Sequence, residues 1–555
     1  MYNENEYLIM RTLKYILVCM VVISTSCKKD FVDLVNPNQS TTGSFWKTQE
    51  DAMQGTVAMY QALIYDGTYM RKYPWTMDVR ADDSYNVTPY AYVMSNLTTY
   101  TIGGEELEQP WECNYIGIWR ANQVLDNIDG ITFDNDALKD RCKGEAHFIR
   151  GLCYFNLLNL FRNVVIYDHI PESVNDYYNP QSPPDQVWDL VYQDFKDAIT
   201  LCWNKGEPRG SYTNDLGRAT KAAAAAFLAK SYLMNSRFSD AEPVLKDIID
   251  GVYGNYSLVP NYRDNFTDAN ENNAESIFEI QYSLLFGSVQ GWIGDPQPDW
   301  QKEDGYNKSL AAQPFGWGDI APSVYLYNAF QEEKTIDGKN DPRMEASLFF
   351  VHPDSATYSI YGYFQDSTYK DDFFTDPTPV KPLDGMSFAT TGRTDLGITD
   401  TFRVFIRKYL TEDPLLDRSW ESGINQRLVR YADILLLYAE CLNEAGQTGD
   451  AYSYIQQVRD RALLPDLATV KPSMTQAEMR TQIDHERLLE LCFETWRYLD
   501  LLRWGYFETQ DKVNTILIPR DPEFKNWTPG REYLAIPPTE IQRTNSIVHQ
   551  NLGWG

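Results

Sequence analysis

Few residues in this sequence stand at spacings that do covalent chemistry. Its five histidines, His147, His169, His352, His485 and His549, form no H-E-x-x-H and no close pair, which argues against zinc catalysis. G-x-S-x-G, P-loop and G-x-G-x-x-G motifs are absent, removing the strongest cues for hydrolase, NTPase and dinucleotide sites. Glu490 and Glu494 stand four apart on a predicted helix over Glu486 to Trp504 and invite comparison with a glycosidase carboxyl pair. The same helix carries Glu494–Arg497 and Asp500–Arg503 at i, i+3, the spacing of a solvated salt-bridge face, and that structural reading is preferred. One metal cue remains. Asp268, Asn270, Asn272 and Glu279 occupy positions 1, 3, 5 and 12 of an EF-hand-like loop, although position 6 is Asn273 rather than Gly. No cofactor is expected.

Binding chemistry is better represented than covalent chemistry. Trp292, Trp300, Tyr306, Phe315 and Trp317 lie in one loop-like stretch among Gln290, Gln297, Asp299, Gln301, Asn307 and Gln313. A second group gathers Tyr73, Trp75, Arg80, Asp82, Asp83, Tyr85, Tyr90 and Tyr92. Flat rings beside amides and carboxylates suit a sugar, which has an apolar C–H face and a polar hydroxyl rim. The competing reading is that these rings anchor long loops onto a scaffold, since large aromatics are mostly buried. The candidate ligand residues are Trp75, Arg80, Asp83, Tyr85, Trp292, Trp300, Tyr306 and Trp317.

Helical patterns must position these groups. Residues 112–164 read as two helices around Asp129-Gly130, the second buried all round from Gly144 to Phe161. Residues 221–250 and 427–463 each read as a helical hairpin, joined near Asn235–Arg237 and Gly446–Asp450. Leu228, Ala229, Tyr232, Ala241, Leu245 and Ile248 fall on the offsets of a tetratricopeptide repeat, as do Tyr438, Ala439, Leu442, Ala451, Ile455 and Val458. Between the two hairpins the chain is rich in Pro, Gly, Asn and aromatics, with short alternating runs such as Ser276 to Tyr282. The expected fold is mostly α, a tetratricopeptide-like scaffold with a large loop-rich insertion bearing short strands. The expected division is a signal peptide over 1–26, an anchored segment over 27–45, a helical part over 46–254, a ligand-binding region over 255–425 and a helical part over 426–555.

The amino terminus points to export. Arg11 and Lys14 precede nine apolar residues, Tyr15 to Ile23, then Ser24-Thr25-Ser26-Cys27. Nine residues rise only ~14 Å as a helix, short of the ~30 Å a bilayer span needs. Small residues directly before Cys27 match a bacterial lipobox, with cleavage before Cys27 and acylation of its thiol; the plainer alternative is ordinary secretion. Cys113, Cys142, Cys153, Cys202, Cys441 and Cys492 form no C-x-x-C and read as buried free thiols. A net charge of −29 over 555 residues with no basic patch argues against nucleic acid. Apolar content of 43% argues against wholesale disorder.

Gly144-Glu-Ala-His-Phe-Ile-Arg150 with Tyr154-Phe155-Asn156 resembles the SusD/RagB family of outer-membrane nutrient-binding lipoproteins. The resemblance continues through Gly217–Lys221, Asn272–Glu279, Gly316-Trp-Gly318 with Pro322, and Arg430–Ile434 with Tyr438-Ala-Glu440. It extends through Glu486–Glu490, Arg497-Tyr498, Asp500, Arg503-Trp-Gly505, Leu534–Pro537, Glu540-Ile541 and Asn551–Gly553. The family implies four tetratricopeptide-like hairpins, glycan binding at the cell surface, no enzymatic activity, and a lid role over a TonB-dependent transporter barrel of the SusC type. It implies an outer-membrane location through the lipid on Cys27, with the protein facing the cell exterior. Two rivals stand beside it: a tetratricopeptide adaptor for peptides, and a glycoside hydrolase using Asp295, Asp299, Glu303 or Asp304.

Overall fold

The computed structural model describes residues 45–87, 97, 104–207, 216–283, 305–311, 317–350, 404–410 and 422–554. Cys27, Trp292 and Trp300 lie outside the described residues, as do Tyr90, Tyr92, Phe315 and the candidate hydrolase carboxylates. The principal helices are α1 (Gln49–Gln61), α2 (Lys72–Asp78), α3 (Glu105–Asn127), α4 (Asp136–Phe161), α5 (Pro184–Leu201), α6 (Lys221–Met234) and α7 (Phe238–Ile249). They continue as α8 (Tyr431–Glu444), α9 (Thr448–Arg461), α10 (Gln476–Leu491), α11 (Arg497–Arg503) and α12 (Pro538–Arg543). Six short strands are described: β1 (Ser84–Asn86), β2 (Ser276–Ile280), β3 (Ile320–Pro322), β4 (Leu348–Phe350), β5 (Val404–Ile406) and β6 (Gln426–Arg430).

Helices α3 to α7 stack each on the next, and α7 packs on α8 across the long intervening sequence. This nearest-neighbour stacking is the logic of a helical solenoid interrupted by an insertion. Ala222 to Ala226 in α6 are fully buried, and their small side chains let the aromatic helices approach. Phe148, Phe155 and Phe195 accordingly surround Phe227 with ring centroids 5.7–5.8 Å away. At Gly144 an added Cβ would stand 2.7 Å from the Cys202 nitrogen, so the crossing of α4 with the end of α5 requires glycine. The six residues matched to the tetratricopeptide offsets in each hairpin are all buried, and all six described cysteines are buried and unpaired.

The motifs of the sequence do structural work in this scaffold. Glu145 accepts from Tyr60 Oη at 2.8 Å and pairs with Arg218 at 2.7 Å. Arg150 grips Asp194 with Nε and Nη2 at 2.9 and 2.7 Å and donates to Asn122 and the Asp168 carbonyl. Thr220 caps α6 by accepting from the Ala223 N–H.

Two expectations about the C-terminal helices are corrected. Residues 486–504 are two helices, not one: α10 ends at Leu491, and Phe493 and Thr495 adopt left-handed backbone with φ of +57° and +70° before α11 begins. Nor is the charged stripe solvated. Glu490 and Glu494 are buried, Glu490 against Arg343, Arg430 and Arg461, and Glu494 against Lys408 and Arg430. Arg497 turns away from Glu494 to Asp82 and Asp484. The i, i+3 pair Asp500–Arg503 does form, at 2.8 Å, but inside the protein. Sequence spacing specifies a face of a helix; it says nothing of what the insertion later lays over that face.

Candidate functional site

A second apolar core carries the insertion. Trp75, Tyr262, Phe266, Tyr306, Tyr409 and Phe493 belong to it. The two aromatic stretches of the sequence meet here through the antiparallel β1–β3 pair, in which Tyr85 faces Ala321. Ser323 reinforces the join, its N–H donating to the Asp83 carbonyl at 2.9 Å and its hydroxyl to the Asp82 carbonyl at 2.6 Å.

Within this corner most of the candidate ligand residues are interior. Tyr306 is fully buried, and its phenol donates to Asp78 and to the Phe493 carbonyl. Asp83 accepts from the Phe493 N–H at 3.3 Å, while Asp78 accepts from the Thr495 N–H at 3.2 Å. These side chains therefore hold the left-handed bend between α10 and α11. Arg80 is buried against the Tyr498 ring and donates to the Arg531 carbonyl at 2.7 Å. Tyr85 packs on Val87, Ala321 and Val324. Trp75, Tyr85 and Tyr306 are anchors, because a buried ring offers no face for stacking, and the buried Arg80 and Asp83 are held by backbone partners.

Trp317 differs. It is half-buried, and Gly318 follows it at φ +67°, turning the chain into β3. The Trp317 N–H donates to the Lys308 carbonyl at 2.7 Å, fixing the ring's base to the short helix Gly305–Leu310. The Arg71 guanidinium lies 5.8 Å from the ring centres of both Trp75 and Trp317. Asp66 holds Arg71 through two hydrogen bonds of 2.8 and 2.7 Å. Burial opposes charge on Asp66, yet Arg71 and Lys72 keep its pKa below the ordinary carboxylate value. Trp317 and Arg71 thus form a rigid aromatic–cationic edge on the core. Arg71 was not marked by the sequence; the Asp66-x4-Arg71 spacing was the available signal.

Electrostatics in the interior of the corner are unusual. Burial, with Asp82 close by, pushes the Asp83 carboxyl up to about 7. Burial and then Asp83 push Asp78 up as well. Both carboxylates are fully buried and accept from backbone N–H groups of the bend, so this pair serves the bend.

The calcium candidates are divided between a buried strand and an exposed turn. Glu279 is buried and committed to protein donors: the Asn272 N–H at 3.0 Å, Asn425 Nδ2 at 2.9 Å and Arg427 Nε at 3.3 Å. Asp268 and Asn270 sit on an exposed turn. Among the described residues no three His, Cys, Asp or Glu side chains gather as a metal site. Among the described residues no helix is long and apolar enough to cross a membrane. The sequence also did not mark a cleft whose rim exposes Trp119, Tyr177 and Tyr178.

Comparison with known proteins agrees with this architecture. A family model described as "SusD family" matches residues 274–554, and one described as "Starch-binding associating with outer membrane" matches residues 30–233. SusD-like protein P25 of Formosa agariphila is 25% identical over 534 residues, covering 90% of each chain. A SusD superfamily protein from Bacteroides vulgatus superposes with a TM-score of 0.71 at 25% identity, covering 92% of this chain and 100% of that one. Surface glycan-binding protein A from Bacteroides thetaiotaomicron, solved in complex with laminarihexaose, gives a TM-score of 0.67 at 22% identity, covering 91% of this chain and 99% of that one.

Proposed function

This chain belongs to the SusD family, and from that premise we propose that it is a cell-surface glycan-binding lipoprotein. It captures an oligo- or polysaccharide by aromatic stacking and passes it to a TonB-dependent outer-membrane transporter of the SusC type. The observation that carries the reading is the half-buried Trp317 braced by Arg71 at the junction of the two aromatic stretches. A flat ring with a fixed guanidinium beside it matches the C–H face and hydroxyl rim of a sugar. Trp292 and Trp300, outside the described residues, are proposed to extend this platform. The ligand class is supported by the family description as starch-binding and by the neighbour solved with laminarihexaose. Attachment is through acylated Cys27.

The protein is proposed to bind without hydrolysing. A glycan array on the full chain, followed by an assay for new reducing ends with each ligand bound, tests both parts. Retention of at least one glycan without cleavage is the expected result. Release of reducing ends would move the reading to a hydrolase, and binding to no glycan would remove it.

A further inference from the structure

A cleft of about 640 Å³ opens between α3, the segment 165–178 and α12. Its floor is aromatic: Trp111 is buried beneath it, and Tyr115 and Tyr167 pack edge to face with centroids 5.8 Å apart. Its rim exposes three large rings, Trp119 at 45%, Tyr177 at 51% and Tyr178 at 40%. Leaving such rings in water is costly unless something covers them.

The cleft is preformed. Tyr115 Oη accepts from the Val165 N–H and donates to the Val165 carbonyl, both at 2.9 Å. Asn122 Nδ2 donates to the Tyr167 carbonyl at 2.8 Å, and Asp126 accepts from the Ile170 N–H at 2.7 Å. Tyr167 Oη donates to the Tyr177 carbonyl at 3.0 Å, tying the rim turn to the floor. A capping box between Ser173 and Asp176 shapes that turn. A ligand therefore need not order the site, which lowers the entropic cost of binding.

Size and charge narrow the occupant. The volume falls within the ~300–1,000 Å³ of small-ligand pockets. The basic groups of the rim are already committed, Arg543 to Glu112 at 3.3 Å and to Glu540 at 3.6 Å, and His169 to Asp168 at 2.7 Å. No uncommitted cation is left to attract phosphate, sulfate or uronate, and the chain's charge of −29 repels them. Rings for stacking, paired polar groups for hydroxyls and no demand for ligand charge together describe a neutral sugar.

We propose that this cleft is a second carbohydrate site for a short, neutral oligosaccharide, stacked on Trp119 and Tyr177 and separate from the Trp317 edge. The proposal rests on the glycan-binding reading above and adds a site to it. Two sites on one rigid scaffold would hold a long polymer by avidity.

The test uses the full chain in detergent with neutral gluco-, manno-, galacto- and xylo-hexasaccharides, laminarihexaose included, titrated by calorimetry. Trp119→Ala and Tyr177→Ala are each compared with Trp317→Ala and the wild type, with melting temperature recorded for all. Wild type should bind a panel member at two sites, Trp119→Ala and Tyr177→Ala each weakening one of them tenfold or more without a fall in melting temperature. Weakening by Trp317→Ala alone, with both cleft variants matching wild type, overturns the cleft proposal and leaves the general reading standing. Loss of transporter-barrel copurification in the cleft variants, with glycan binding intact, overturns it in favour of a protein-docking surface. Failure of the wild type to bind any panel member removes both readings for neutral glycans.

Discussion

Tyr306 donates its phenol hydrogen bond to the carbonyl of Phe493, at 2.9 Å, across 187 positions of sequence. Phe493 is in left-handed backbone, a conformation costly for a side chain of this bulk. A residue first noticed as a sugar-stacking candidate is thus a clamp on the bend between α10 and α11. Tyr306→Ala should destabilise the fold by about 3–5 kcal/mol, the cost of emptying a buried aromatic site. Denaturant unfolding measures this directly. An unchanged midpoint would mean the bend holds itself.

Trp317→Ala should behave in the opposite way. Stacking of bases on aromatic rings contributes ~1–3 kcal/mol, and the same scale is taken here for a sugar. Glycan affinity should fall about tenfold or more, because ~1.4 kcal/mol is a factor of ten. Melting temperature should barely move. A variant that melts early yet binds normally once folded would make Trp317 an anchor like Trp75.

Much of the helical scaffold was legible because helices such as α7 bury one face at a period of 3.6, here Ala241, Leu245 and Ile248. The bend at 492–495 was not legible. Residues 486–504 read as one amphipathic run, and the groups that break it, Asp78, Asp83 and Tyr306, arrive from far along the chain. The candidate site was half legible. Composition brought the two aromatic stretches to notice, but which ring points outward depends on tertiary packing, and that selects Trp317 over Tyr306. The cleft was missed because Trp119 sits on α3, Tyr177 on a distant turn and Arg543 near the C-terminus.

The buried ion cluster around Glu490 should be sensitive to loss of one partner. Glu490 meets Arg343, Arg430 and Arg461, and despite a burial that opposes charge these guanidiniums hold its pKa well below the usual carboxylate range. Glu490→Ala leaves those cations buried without their anion, which typically costs about 3–5 kcal/mol. A loss below ~1 kcal/mol in chemical denaturation would show that solvent or the remaining glutamates compensate.

The stability of the protein should carry a pH signature of Asp83. Its folded pKa of about 7 lies above the unfolded value of ~3.9, so between these the folded state binds more protons than the unfolded state. Stability from this group therefore rises as pH falls through 7 toward 4. Asp433 and Asp484 act with the opposite sign. Against burial, Lys230 and Arg487 hold Asp433, and Arg497 and Arg520 hold Asp484, at about 2. Their stabilisation is present above ~4 and is lost as pH falls toward 2. Asp83→Asn removes the first contribution, relieves the push of Asp83 on Asp78, and leaves the partners of Asp433 and Asp484 in place. The melting-temperature difference between the variant and wild type should change between pH 8 and pH 5, with wild type gaining on the variant. Parallel profiles would show that Asp83 titrates normally.

Cys27→Ala should release the protein from the membrane. The thiol is the proposed acylation point, and two or more acyl chains give stable attachment because each buried CH₂ contributes ~0.8 kcal/mol. No helix among the described residues offers a substitute span. Fractionation after a high-salt wash separates lipid anchoring from charge-mediated adhesion, since surface electrostatics are screened by salt. The variant should appear in the soluble fraction while wild type pellets with the outer membrane. A variant that still pellets after the wash would place the anchor elsewhere, for example in a stable complex with the transporter barrel, which detergent extraction and copurification would then resolve.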